Sequence, residues 1–147
     1  MTILEAINTV DGQKFNTYTT AEKVAWLSRL DSLVKRMIID THVGWEHVSF
    51  GGYNDKTPKD TELLVPEPFD EIYLRWLEAQ IDYANGEYDK YNNSMLMYKA
   101  AYDGYANYYN KNNMPLGVKN NYFSFGRRGN GESQPSKNIV DVTIEEV

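Results

Sequence analysis

The 147-residue chain has the length of one ordinary domain, and its 41% of hydrophobic residues is enough to build a core. It contains no cysteine, which excludes disulfide bonds, thiolate metal sites and cysteine nucleophiles. The net charge of −6 argues against tight binding driven by nucleic-acid phosphates. The charge is uneven, because residues 1–113 carry 17 acids and 11 bases, whereas residues 138–147 carry three acids and no base.

Two capping boxes predict where the first helices begin. Thr2-x-x-Glu5 precedes a predicted helix over about residues 3–10, which we expect Gly12 to end. Thr19-x-x-Glu22 precedes a longer helix that runs to about residue 39. The apolar residues of this second helix recur at helical spacing and are expected to face the core: Val24, Leu27, Leu30, Val34 and Met37, with Ala21, Leu33 and Ile38 beside them.

Residues 40–66 contain several Gly and turn residues and predict a long inter-helix loop. Within it, Val48-Ser49-Phe50 predicts a short strand. Loops of this length are unusual in a compact domain and often form interfaces or functional sites.

Two further helices are predicted after the loop. One begins near Phe69 and ends at Asn85-Gly86. The other carries a heptad-spaced stripe, which predicts helix–helix packing within one subunit or between subunits: Tyr88, Tyr91, Met95, Tyr98, Tyr102, Tyr105 and Tyr109. The spacing fits two arrangements. One is a hairpin or sharp kink at residues 85–93, with Asn92, Asn93 or Ser94 as the new N-cap. The other is one long helix through Gly86. Two break signals close together favour the hairpin.

The end of the chain differs in composition from the rest. Residues 117–138 are rich in Gly, Asn and Ser, and residues 139–145 alternate β-branched and polar residues, which predicts a strand that docks on another chain. We therefore expect a mainly α protein: a small helical bundle of about four helices with a long helical hairpin in residues 1–116. An extended C-terminal arm with a short β-strand follows in residues 117–147.

No pattern in the sequence predicts catalysis, and we expect neither enzymatic activity nor a cofactor or metal. His42, Glu46 and His47 form the best metal-like cluster, but Gly44 interrupts it and the spacing is not that of a zinc protease. A small metal-dependent hydrolase at this cluster is therefore a minor alternative. The carboxylates of Asp70, Glu71, Glu78 and Asp82 fit a solvated face better than a glycosidase pair. A Tyr-lined glycan or peptide site is a further alternative.

One set of short motifs within residues 38–123 resembles the siphophage head–tail connector (adaptor) family of tailed bacteriophages. The motifs are Asp60-Thr61-Glu62-Leu63-Leu64-Val65-Pro66, Tyr73-Leu74-x-Trp76-Leu77-Glu78-Ala79-Gln80-Ile81-Asp82-Tyr83, Asn85-Gly86-Glu87-Tyr88, Tyr91-Asn92-Asn93-Ser94, Tyr108-Tyr109-Asn110 and Met114-Pro115. The resemblance implies a helical virion protein in the neck, forming a dodecameric ring between the portal protein and the tail or stopper proteins. It implies that DNA passes through the ring without sequence-specific binding. Another neck or tail-completion protein of the same virion is the close alternative.

The residues expected to contact other subunits or partners come from the loop, the Tyr stripe and the arm. They are Trp45, Phe50, Tyr53, Tyr98, Tyr105, Arg127, Arg128, Ile139, Val140, Val142 and Ile144.

Overall fold

The computed structural model describes residues 1–117, and Met1–Asn113 form one compact unit. This unit is mainly helical, as predicted, with four α-helices: α1 (Ile3–Gln13), α2 (Thr20–Val34), α3 (Glu71–Ala84) and α4 (Tyr88–Asn112). No described helix is both long enough and apolar enough to cross a membrane. The Met114–Val147 unit includes the expected arm, and the predicted strand at 139–145 lies outside the described residues.

Both predicted capping boxes are present. The Thr2 hydroxyl accepts from the Glu5 amide and the Glu5 carboxylate accepts from the Thr2 amide, and Thr19 and Glu22 repeat the arrangement. The loop completes the first turn of α1, because the amides of its first two residues donate to the carbonyls of Thr61 and Lys59. Gly12 does not end α1, which continues to Gln13, so that prediction was wrong by a few residues.

The second helix does reach residue 39, but its last turn is wider than an α-helix. Residues Lys35–Ile39 continue α2 as a π-helical turn. This turn shifts the phase of the apolar stripe, so that Ile38 and Ile39 are buried. Met37, predicted to face the core, is instead 59% exposed, and Leu33 is 40% exposed.

Residues 40–70 are irregular, as predicted for 40–66, apart from a short 3₁₀ turn at Trp45–His47. Val48-Ser49-Phe50 is not a strand, so that prediction was wrong. The reason lies in the neighbouring contacts: within the described residues no strand lies beside this segment, and the Tyr53 amide that follows it donates to the Ser28 hydroxyl at 2.9 Å.

Helices α3 and α4 form the predicted hairpin and make the most extensive contact of any two elements in the unit. The turn lies at residues 85–87, where Gly86 has a left-handed φ of 77°. Helix α4 therefore begins at Tyr88 with Glu87 at its N-cap, not at Asn92–Ser94 as predicted. The core between the helices contains apolar residues from α1 to α4 and the loop: Ile3, Ile7, Val10, Val24, Leu27, Leu30, Val34, Val65, Ile72, Tyr73, Trp76, Leu77, Ile81, Tyr98 and Tyr105.

Candidate functional site

A buried carboxylate, Asp31, joins the long loop to two helices. Its side chain is fully buried on α2 and accepts hydrogen bonds from the Tyr53 hydroxyl at 2.6 Å and the Tyr73 hydroxyl at 2.6 Å. The Leu64 amide donates to it as well, at 3.1 Å. Tyr73 in turn accepts from the Val65 amide at 2.7 Å. The network therefore fixes both ends of one segment of the long loop, from Tyr53 to Val65.

The pKa shifts of the groups in this network agree with a structural role. Burial raises the pKa of Asp31, and the hydrogen bonds from Tyr53, Tyr73 and the Leu64 amide oppose that rise. Burial and the nearby Asp31 carboxylate raise the pKa of both tyrosines. A carboxylate with 0% exposure cannot meet a substrate without opening the fold, so we interpret Asp31 as an anchor for the loop.

A second buried carboxylate, Asp82, joins three helices. It lies on α3 with 0% exposure and accepts from the Lys14 ammonium at the end of α1, 2.5 Å away. The Ser94 hydroxyl of α4 donates to its other oxygen at 2.6 Å. The charge is thus paired and hydrogen-bonded, as a buried carboxylate requires.

The acids considered for a glycosidase pair are engaged elsewhere. Glu71 and Glu78 both pair with Arg75, at 2.8 Å and 3.1 Å. Asp70 lies 3.5 Å from the N-terminal ammonium of Met1. Asp82 is fully buried, so the prediction that it belongs to a solvated face was wrong. The arrangement on α3 is therefore a surface ion-pair cluster beside a structural carboxylate.

The possible metal cluster is split by the fold. His42 is buried, with Nδ1 2.7 Å from the Ile38 carbonyl and its ring edge-on to Tyr109 at 5.0 Å. Glu46 and His47 are exposed on the short turn that follows. Residues 1–117 hold no group of three His, Cys, Asp or Glu side chains placed to share a metal ion.

Two residues of the Tyr stripe that were expected to contact other subunits pack inside this chain. Tyr98 is 8% exposed and lies 5.0 Å from the Trp76 ring, and Tyr105 is 3% exposed beside Phe69. Burial raises the pKa of Tyr105 to about 12. The hairpin turn brings α4 back onto α3, which resolves the open question of whether these rings pack within or between subunits.

The loop residues that were expected to contact partners differ in how far their side chains are exposed to solvent. Trp45 is 40% exposed and the Lys35 ammonium lies 5.4 Å from its ring centre. Phe50 is half-buried and packs edge-on against Tyr53, whose hydroxyl is held by Asp31. The remaining expected contacts, which all belong to the arm, lie outside the described residues: Arg127, Arg128, Ile139, Val140, Val142 and Ile144.

An open groove runs along one side of α4 and is lined mainly by apolar atoms. Its lining residues are Asn92, Met95, Leu96, Tyr98, Lys99 and Tyr102. Tyr98 packs against Trp76, and Tyr102 packs against Tyr98, so the faces of both tyrosine rings are partly covered. This arrangement gives little support to a site that stacks bases or sugars on tyrosine rings.

The sequence analysis predicted neither buried carboxylate, because it did not single out Asp31 and it placed Asp82 on a solvated face. A signal for Asp31 was present, because an acid sits among the apolar positions Leu30 and Val34 of α2, and such a residue needs buried partners. Its partners come from positions 22 to 42 residues away, which spacing along a helix cannot reveal.

Comparison with known proteins adds no relative to this picture. The chain matches no protein-family model, and the searches of curated proteins and of solved structures return no significant match.

Proposed function

We propose that the chain is a structural subunit of a tailed-bacteriophage virion, the head–tail adaptor that forms a ring between portal and tail. The observation that carries the proposal is the number of large apolar side chains that a well-packed unit leaves exposed. They occur on α1, α2, the loop and the α3–α4 hairpin and include Met37 at 59%, Val43 at 56%, Tyr88 at 61% and Leu96 at 68%. Apolar exposure on several sides suits a subunit with neighbours on several sides.

The interior supports an assembly role over catalysis. The two buried carboxylates, Asp31 and Asp82, are both fully engaged in holding elements together. A rigid loop fixed by Asp31 gives a ring subunit a preformed contact surface, which lowers the entropy cost of association. The resemblance of the motifs within residues 38–123 to the adaptor family is the reason for proposing this particular assembly.

The expected partners are neighbouring copies in a dodecameric ring, the portal protein on one side and tail or stopper proteins on the other. DNA would pass through the lumen without sequence-specific binding. The acidic excess of residues 1–113 suits a channel wall that repels phosphates. A lumen wall found to be basic in the assembled ring would contradict this part of the proposal.

Electron microscopy of the purified full-length chain, alone and with the portal protein from the same genome, tests the proposal. We expect closed rings, or a ring seated on the portal. A chain that stays monomeric at high concentration and does not bind the portal would overturn it. Labelling the protein in intact particles separates an adaptor from another neck or tail-completion protein by its position.

A further inference from the structure

The outward side of α2 and its π-helical turn presents a basic and apolar face. This α2 outer face consists of Arg29, Ser32, Leu33, Arg36 and Met37, all of which are exposed. The two arginines lie about 10 Å apart along the helix axis, at ~1.5 Å per residue. Leu33 and Met37 add exposed apolar area between and beside them, at 40% and 59% exposure, whereas Ile38 and Ile39 of the π turn are buried.

The charges of this face are not neutralised by its own helix. Neither Arg29 nor Arg36 makes an ion pair with any residue in 1–117. The acids nearest in sequence are engaged, since Asp31 is buried and Asp40 pairs with Lys35. Two guanidinium groups that have no ion pair within residues 1–117, beside exposed apolar side chains, suit a ligand that is both acidic and apolar.

The chain itself contains a segment with that chemistry. Residues 138–147 hold Asp141, Glu145 and Glu146, no base, and five branched apolar residues: Ile139, Val140, Val142, Ile144 and Val147. The 21 residues from 118 to 138 can span up to about 70 Å. Helix α4, the longest element, measures only about 37 Å, so this length is enough to reach an adjoining subunit.

We propose that residues 138–147 of one copy bind the α2 outer face of a neighbouring copy. The acidic side chains pair with Arg29 and Arg36, and the branched side chains cover Leu33 and Met37. The inference deepens the proposed function in that it relies on copies standing side by side. It names the surface on which the C-terminal arm docks.

A charge-exchange experiment on the full-length chain tests the pairing and its direction. One variant carries Arg29→Glu and Arg36→Glu, and a second carries Asp141→Arg and Glu145→Arg. Each variant alone is expected to self-associate about tenfold more weakly than the parent chain, because its arm and its α2 outer face then carry charges of the same sign. A one-to-one mixture should recover association, because each copy then meets a complementary neighbour. Self-association is measured by sedimentation velocity.

The matched control is Lys56→Glu with Lys111→Glu, which reverses two exposed charges outside the face. We expect this control to associate like the parent chain. Equal weakening in the control, or a mixture that associates no better than either variant alone, would overturn the proposal.

The absence of cysteine allows a second, geometric test. The double variant Met37→Cys, Val142→Cys should form disulfide-linked ladders of copies under mild oxidation. Leu96→Cys with Val142→Cys is the control, because Leu96 is at least as exposed as Met37 but lies on α4. Ladders of equal yield in the control, or disulfides that form only within single chains, would contradict docking between copies.

The two proposals fail in different ways. If rings or portal complexes form while the charge-exchange test and the crosslinking test both fail, this inference is removed and the adaptor role is left intact. If copies crosslink but the chain does not bind the portal protein, the arm contact is retained and the adaptor role is removed. If duplex DNA binds through Arg29 and Arg36 and no crosslinks form to Val142→Cys, the face is a phosphate-binding site and the inference is overturned.

Discussion

The Tyr73 hydroxyl donates a 2.6 Å hydrogen bond to Asp31, which lies 42 positions earlier in the chain. The same hydroxyl accepts a hydrogen bond from the Val65 amide at 2.7 Å. One phenol thus joins α2, α3 and the end of the long loop, and it does so in a region that excludes solvent. Tyr53 contributes a second hydroxyl to the same carboxylate but is less deeply buried.

This difference predicts unequal costs for two matched substitutions. Tyr73→Phe should lower the free energy of unfolding by about 3 kcal/mol, because it removes two hydrogen bonds and leaves a buried amide unpaired. Tyr53→Phe should cost about 1 kcal/mol, because only one bond is lost and solvent is nearby. Urea unfolding followed by circular dichroism measures both. Equal costs would show that the second bond, to Val65, contributes nothing.

The Lys14–Asp82 pair gives a second stability prediction. Lys14→Met should destabilise the fold by about 2 kcal/mol, because it strands a buried carboxylate whose remaining partner is Ser94. The double variant with Asp82→Asn removes the stranded charge and should recover part of that loss. A double-mutant cycle by denaturant unfolding measures the coupling, and additive effects would mean that the two groups do not interact.

The two glycines of the hairpin should respond in opposite directions to alanine. Gly86 has a φ of 77°, so Gly86→Ala should cost about 1 kcal/mol although space is open around it. Gly104 lies within α4, also in open space, and Gly104→Ala should stabilise by about 1 kcal/mol through helix propensity. Thermal melting of the two variants checks the contrast. Stabilisation by both would argue against the left-handed turn at residue 86.

The raised pKa values of the buried tyrosines predict that the fold loses stability at high pH. Burial raises the pKa of Tyr105 from 10.0 to about 12 and also raises those of Tyr53, Tyr73 and Tyr98. The unfolded chain therefore releases these protons at lower pH than the folded chain. The stability is fully present below pH 10 and falls as pH rises through about 12. Tyrosinate absorbance should show that Tyr105 and the other tyrosines with raised pKa ionise late, together with unfolding. A single early transition for all tyrosines would contradict the burial described here.

Local signals were enough to predict the helices but not their mutual contacts. The capping boxes at Thr2 and Thr19 located two helix starts because a cap acts within three residues. The Asn85-Gly86 pair located the hairpin turn because a left-handed residue is a local requirement. The start of α4 was placed too late, because Asn92–Ser94 resembles an N-cap but continues the helix once the hairpin packs.

The candidate surface was harder to predict than the fold. Met37 has the spacing of a core residue but lies within the π turn Lys35–Ile39, where Ile38 and Ile39 are buried and Met37 is exposed. Tyr98 and Tyr105 were expected at partner contacts, because a heptad stripe does not reveal which helix covers it. The Asp31 network joins parts of the chain that no sequence period relates, and its geometry exists only in the folded unit.

The distances along the chain within that network also bear on the rate of unfolding. Asp31 meets partners 22, 33 and 42 positions away, so the loop between Tyr53 and Val65 can settle only after α2 and α3 have docked. Bonds that form late in folding act mainly on the unfolding rate. We therefore expect Tyr53→Phe to speed unfolding in stopped-flow experiments while leaving the refolding rate nearly unchanged. Asp31 would then govern the lifetime of the folded unit, and a long lifetime is what the proposed role in a virion requires.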